Sequence, residues 1–130
     1  MVRLLRRLAT RDRLTGLSPA RLSALSVLVF KGPLLLGQLA AAERVTAPTM
    51  SRIVGGLEKD GLVTRRDHPS DRRSIRISAS RSGRVALLKG QQARVRFLAG
   101  LLGGLDPAEA ETIERAAGVL LKLAESPDPD

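Results

Sequence analysis

Apolar residues recur at helical spacing along most of the chain, and this pattern predicts six helices. Several have recognisable ends: Ser18-Pro19 and Asp106-Pro107 each combine a capping residue with a proline at the first helical position, and Gly32-Pro33 stops a helix. The predicted helical stretches are 3–14, 18–32, 36–43, 46–60, 82–102 and 106–125. The chain is therefore predicted to be mainly α-helical.

One segment alternates instead of following a helical period. Residues 62–66 and 74–78 read as two strands on either side of a turn-rich stretch, 67–71. In the second strand Ile75 and Ile77 share one face and Arg76 lies on the other, as in a ribbon with one packed side and one solvated side. The segment is predicted to be a β-hairpin.

The predicted helix 46–60 has two distinct sides. Thr46 can cap its start, Met50, Val54 and Leu57 lie on one side, and Gly61 is placed to end it. At about 100° per residue, Arg52 and its neighbours on the other side point away from this apolar stripe. We expect that side to be exposed.

Basic charge is concentrated in the centre of the sequence. The chain has 130 residues and a formal net charge of +9, and residues 44–84 hold ten basic and four acidic residues. Residues 106–130 are acidic, with seven carboxylates against two basic side chains. A basic stripe on a small domain attracts polyanions because phosphates neutralised by it release condensed counterions.

The composition excludes several other classes of protein. There is no cysteine, so disulfides, thiolate metal sites and thiol redox chemistry are excluded. Residues 1–16 carry five arginines without an apolar run of signal-peptide length, so we expect a cytoplasmic protein that does not span a membrane. A three-turn helix there has little apolar area for binding a membrane surface.

No constellation suited to catalysis was found. His68, the one histidine, falls in the predicted loop without an orienting partner, and the glutamates near 109–114 suit an ordinary acidic first turn. We therefore expect no enzymatic activity, no metal and no cofactor.

Two short helices followed by a basic hairpin are typical of a winged helix-turn-helix. The hydroxyls of Thr49 and Ser51 and the guanidinium of Arg52 are suited to contacts with base edges in the major groove. Arg73, at the hairpin tip, can enter the adjacent minor groove. The fold predicted is a winged helix-turn-helix with terminal dimerisation helices.

Residues 17–102 also resemble the MarR-type regulators. The resemblance rests on Ala47-Pro48-Thr49-Met50-Ser51-Arg52-Ile53-Val54, on 57–63 (Leu-Glu-Lys-Asp-Gly-Leu-Val), on Asp71-Arg72-Arg73 and on Ser82-Gly83. It implies that the capped helix is the recognition helix, that Arg73 reaches the minor groove and that Asp71 supports it. Gly55-Gly56 replaces a polar or charged pair common in that family, so we expect no base contacts there. The predicted DNA-binding residues are Thr46, Pro48, Thr49, Ser51, Arg52, Lys59, Asp71, Arg72 and Arg73.

Both ends of the chain are predicted to form a homodimer interface. By the resemblance, 17–81 is the DNA-binding part of a single domain covering 1–130, 1–16 and 82–125 are dimerisation helices, and 126–130 is a tail. The predicted interface residues are Leu4, Leu5, Leu8, Ile113, Ala117, Leu120 and Leu121.

The expected function is a repressor that binds double-stranded DNA at a pseudo-palindromic operator. A small apolar or anionic effector could act between the dimerisation region and the DNA-binding part. The alternative is a winged helix that binds an acidic protein partner instead of DNA.

Overall fold

The computed structural model describes residues 2–68 and 71–127, without the side chains of His68, Asp71, Arg72 and Arg73. Its helices are α1 (Val2–Asp12), a 3₁₀ helix (Arg13–Thr15), α2 (Pro19–Lys31), α3 (Leu36–Ala42), α4 (Ala47–Lys59), α5 (Arg81–Leu102) and α6 (Pro107–Glu125). Its strands are β1 (Leu34–Leu35), β2 (Val63–His68) and β3 (Asp71–Ala79). This is the mainly helical winged-helix architecture that the sequence predicts.

Two of the predicted helix N-termini have the capping hydrogen bonds that the sequence predicts. Ser18 Oγ accepts a hydrogen bond from the Arg21 amide at 3.3 Å. Asp106 accepts one from the Glu109 amide at 2.9 Å, while the Glu109 carboxylate accepts one from the Asp106 amide at 3.1 Å. These contacts satisfy amide groups that have no partner within the helix.

The sheet differs from the predicted two-stranded hairpin. It has three antiparallel strands in the order β1-β3-β2, because Leu34 and Leu35 pair with Ile77 and Arg76. Two residues are too few to show an alternating pattern, so β1 could not be predicted from its own sequence. It is a strand only because it pairs with β3. The strands of the hairpin also run further than predicted, through His68 and from Asp71, which places most of the predicted turn in paired backbone.

The chain forms two compact units, residues 1–94 and 95–130. The core of the first is formed by α2, α3, α4 and the inner face of the sheet, and it fully buries Leu25, Leu28, Leu39, Met50 and Ile77. In the second unit α6 has no buried residue. The apolar core that supports the helix-turn-helix therefore lies within the first unit.

The start of α5 is attached to the turn between α4 and β2. Ser80 Oγ donates to the carbonyl oxygen of Gly61 at 2.6 Å and accepts from the Gly83 amide at 3.0 Å. The Ser80 amide donates to the carbonyl oxygen of Leu62 at 2.9 Å. Ser80 thus caps α5, which begins at Arg81, one residue before the predicted start.

Gly83 is required by this junction, whereas Gly55 is not required for packing. A Cβ at Gly83 would clash with the Leu62 carbonyl oxygen, while a Cβ at Gly55 would meet no atom within 4 Å. We expect Gly83→Ala to lower the free energy of unfolding by roughly 1–3 kcal/mol through overpacking. Gly55→Ala should raise it by about 0.5–1 kcal/mol because alanine favours a helix interior.

Urea unfolding of both variants tests this pair. Two variants with equal midpoints would contradict the close approach at Gly83, since both changes add the same methyl group to a helix.

Candidate nucleic-acid interface

One side of α4 is completely buried. Met50, Val54 and Leu57 have no exposed surface, and they pack in the core that α2 and α3 share with the sheet. Their spacing of three and four residues places them on one side of the helix. This contact fixes which side of α4 faces outward.

The outward side carries the residues predicted to contact DNA. Pro48, Arg52 and Lys59 are exposed, while Thr49 and Ser51 are half-buried on its flanks. Arg52 and Lys59 are seven residues apart, so they lie two turns apart on the same side. The helix therefore presents two cations and two hydroxyls along one accessible face.

The start of α4 leaves a hydroxyl proton available. Thr46 Oγ1 accepts from the Thr49 amide at 3.3 Å, and its own hydroxyl donates to Thr49 Oγ1 at 2.9 Å. Because Thr49 Oγ1 is the acceptor, its own proton can be donated to an external oxygen or nitrogen. Thr46 is thus primarily a capping residue, and Thr49 is the hydroxyl suited to a ligand contact.

Gly56 makes room for a side chain from α2. The Arg21 guanidinium lies where a Cβ at Gly56 would stand, and it reaches Asp60 with an N–O distance of 3.6 Å. Arg21 thus crosses the α4 backbone to an acidic residue just beyond its last turn. This contact explains the second glycine of the pair at 55–56 by packing and assigns it no role in binding.

The wing is attached to α4 by an ion pair. Arg65 Nε lies 3.1 Å from Glu58 Oε2, which joins β2 to α4. In β2 and β3 the inner face includes buried Val63 and Ile77. The hairpin is therefore held beside α4 by apolar packing and by one charged hydrogen bond.

Three predicted site residues lie where the structure gives no side-chain position. The backbone of Asp71, Arg72 and Arg73 forms the start of β3, next to the hairpin tip, and their side chains are outside the described set. Their roles at the DNA stay predictions. His68, predicted in the loop, is the last residue of β2.

The described residues lack the features of two other kinds of site. In that part of the chain no group of three or more histidine or acidic side chains is placed to hold a metal ion. None of its helices is long and apolar enough to cross a bilayer. The polar α4 face and the adjoining hairpin are the candidate functional site.

The family and the relatives that the sequence matches are regulators of transcription. The sequence pattern of the MarR family matches residues 15–74. An HTH-type transcriptional regulator of Mycobacterium tuberculosis is 37% identical over 128 residues, which cover 98% of this chain and 90% of that protein.

Solved structures match the fold over nearly the whole chain. The YusO protein from Bacillus subtilis has a TM-score of 0.79 at 24% identity, over 96% of this chain and 86% of that one. A MepR mutant from Staphylococcus aureus, bound to an oligodeoxyribonucleotide, has a TM-score of 0.76 at 18% identity, over 95% and 91% of the two chains.

The fold and the exposed basic face of α4 define a winged helix-turn-helix protein. The similarity to the mycobacterial regulator, together with the family match, places it further: the chain belongs to the MarR family. It is a DNA-binding regulator of transcription, and the relatives it matches are named as regulators, not as enzymes.

The turn of the helix-turn-helix contains one residue with an unusual backbone conformation that the sequence pattern did not predict. Arg44 lies between α3 and α4 with a φ of 55°, and it is the one non-glycine residue with positive φ in the described part of the chain. This conformation usually costs about 1–2 kcal/mol with a side chain present. A glycine at this turn would have been a signal, whereas an arginine gives none.

Arg52 offers a direct test of the recognition face. Because it is exposed and has no ion-pair partner among the described residues, Arg52→Ala should leave the fold intact and weaken operator binding by roughly 1–3 kcal/mol if it contacts a guanine. The loss should be much smaller on random duplex DNA. Fluorescence anisotropy with both duplexes measures the two affinities.

Lys59→Ala serves as the matched variant on the same face. If Lys59 binds phosphate, its loss should weaken both duplexes equally. An equal loss on both duplexes for Arg52→Ala would reassign Arg52 to the phosphate backbone.

Proposed function

We propose that this protein is a repressor that binds a pseudo-palindromic operator as a homodimer and is released by a small effector. The observation that carries the proposal is the exposed face of α4, held outward by the buried stripe on its other side. One such helix fills one major groove, so a two-fold dimer reads two half-sites about one helical turn apart. Blocking of RNA polymerase at the promoter is the expected consequence.

Base reading is assigned to Thr49, Ser51 and Arg52, and phosphate contacts are assigned to Thr46, Pro48 and Lys59. Arginine can bind guanine O6 and N7 with two hydrogen bonds, whereas short hydroxyls bond several bases. Thr46 is at the start of α4, where the helix dipole favours an anion, and Pro48, which has no N–H, can contact the DNA backbone only through its ring. The solved MepR complex with an oligodeoxyribonucleotide supports DNA as the ligand of this fold.

The wing residues Asp71, Arg72 and Arg73 are assigned to the minor groove. They start β3 beside the hairpin tip, and Arg65 holds the hairpin against Glu58 of α4. A narrow minor groove has a strong negative potential that favours an inserted arginine. Arg73 is assigned to insertion, Arg72 to the neighbouring backbone, and Asp71 to orienting these cations.

Dimerisation is assigned to α1 and α6 because each carries exposed apolar side chains. On α6, Ile113 is 47% exposed, Leu120 60% and Leu121 64%, and exposed Ala117 shares their side. On α1, Leu4 and Leu5 are exposed and Leu8 is half-buried. Leucines this exposed along a whole helix mark an interaction surface.

An effector site is proposed in the first unit. A cavity of about 480 Å³ lies between the 3₁₀ helix and the first half of α5, with Leu14 and Val85 as apolar lining and Arg81 and Lys89 as cations. This lining suits an apolar anion. A fluorescent probe of that kind, anilinonaphthalene sulfonate, should bind more weakly to Lys89→Ala; equal affinity for both proteins would contradict the site.

Selection of bound sequences from random duplexes tests DNA reading and symmetry together. We expect a pseudo-palindrome whose affinity falls steeply with salt, and Arg73→Ala should reduce the slope of log K against log salt by about 0.9 per protomer. Enrichment of A·T pairs at the wing positions should disappear in that variant. Absence of binding to any duplex at low salt would favour the protein-binding alternative.

The α6 interface can be tested by placing a charge within its apolar stripe. Leu120→Asp should shift the protein from dimer to monomer, because an isolated carboxylate would be buried at the interface. Lys122→Asp is the matched control, since it lies about 200° further round the same helix. Sedimentation velocity measures both, and a Leu120→Asp variant that stays dimeric would contradict this interface.

A further inference from the structure

The hairpin has two pairs of polar side chains on the face that points away from the core. In the antiparallel register Arg66 is directly opposite Arg76, and Thr64 is directly opposite Ser78. These four residues alternate along the strands with the inner-face residues that pack on the core. We call Thr64, Arg66, Arg76 and Ser78 the outer wing face.

The arginine pair is electrostatically unfavourable as it stands. Residues directly opposite across antiparallel strands have Cβ atoms about 4.5–5.5 Å apart, and like charges at that separation destabilise a sheet. Arg66 and Arg76 are both exposed, and neither has an ion pair with any side chain that the structure describes. Arg65, one residue away on the inner face, has Glu58 as its partner.

An anion bound between the two guanidinium groups removes this repulsion. The outer wing face offers two cations and two hydroxyls and includes no carboxylate, so all four side chains can donate hydrogen bonds. Guanidinium groups match phosphate oxygens with paired hydrogen bonds. A phosphodiester is therefore the chemical group that this arrangement fits.

The outer wing face is on the opposite side of the sheet from the recognition helix. The inner face carries buried Ile77 and the Arg65 contact to Glu58 on α4. A phosphate on the outer side is therefore separated from α4 by the sheet itself. Such a phosphate must therefore be part of the DNA backbone outside the major groove that α4 enters.

From this geometry we infer that the outer wing face binds backbone phosphates of DNA that flanks the operator. The inference rests on the proposed function, because it assigns a second contact with the same duplex. It predicts a protein whose affinity depends on DNA length outside the bases it reads. Contact there would favour flanking DNA that bends toward the wing.

The test uses the full chain with Arg66 and Arg76 both replaced by glutamine, on two duplexes. The short duplex ends where α4 and the wing tip stop protecting it, and the long duplex has about one further helical turn, roughly 10 base pairs, on each side. On the long duplex we expect a salt slope reduced by about 0.9 per protomer, from loss of the one phosphate held between the two guanidinium groups. On the short duplex affinity and slope should match those of the unmodified chain.

A control variant loses the same charge outside the wing. Replacing Arg96 and Arg115 with glutamine removes two exposed or half-exposed arginines and should leave the slopes on both duplexes unchanged. The melting temperature of the Arg66→Gln/Arg76→Gln variant should equal or exceed that of the unmodified chain, because a like-charge pair has been removed. A drop in melting temperature would contradict the repulsion on which the inference depends.

The outcomes separate the inference from the proposed function. An unmodified chain that binds neither duplex contradicts the proposed function itself. If the unmodified chain binds the long duplex and the Arg66→Gln/Arg76→Gln variant has the same salt slope on it, phosphate binding by the outer wing face is overturned, while the proposed function stands. Equal losses on the short and long duplexes would overturn the flanking position.

Discussion

The burial of one side of α4 is the constraint on which the rest of the site depends. Met50, Val54 and Leu57 are fully enclosed, and burying each such side chain contributes roughly 1.5–3 kcal/mol. A rotation of α4 by two residues, about 200°, would expose this stripe and bury Arg52. The same packing that stabilises the helix therefore sets the direction of its exposed side chains.

This packing also compensates for a weak helical sequence. Gly55 and Gly56 each cost roughly 1 kcal/mol relative to alanine in a helix interior, and Pro48 can be tolerated only near the start. The Thr46 cap and the buried stripe offset these costs. Gly56 also accommodates Arg21, so one of the two glycines supports a contact between α2 and α4.

Much of the fold follows from local patterns in the sequence. All six helices were predicted, because apolar period and capping residues such as Ser18, Thr46 and Asp106 act within a few residues of each other. Strand β1 was missed because two residues, Leu34 and Leu35, acquire their structure only by pairing with β3. The hairpin strands were placed too short, because backbone pairing extends through residues typical of turns.

The same distinction separates the predicted and unpredicted parts of the site. The outward side of α4 could be derived from helix geometry alone, since Arg52 and Lys59 differ by two turns. The opposition of Arg66 and Arg76 could not, because it requires the register between β2 and β3, and a shift of one residue would move each arginine to the other face. The Ser80 bond to Gly61 likewise depends on a turn nineteen residues earlier in the chain.

Charge along the chain adds a further restriction on how a duplex can approach. Residues 44–84, which include α4 and the hairpin, have six more basic than acidic residues, whereas residues 106–130 have five more acidic than basic ones. A polyanion is attracted to the first region and repelled by the second, and both effects weaken as salt is added. On α6 the Glu111 carboxylate lies roughly 160° around the helix from Ile113, whereas Glu114, seven residues before Leu121, lies on the same side as Leu121. Two copies of α6 that meet through the side of Ile113, Ala117 and Leu120 can therefore leave Glu111 in water, whereas Glu114 lies at the edge of that side, where its carboxylate must stay solvated for the helices to pack.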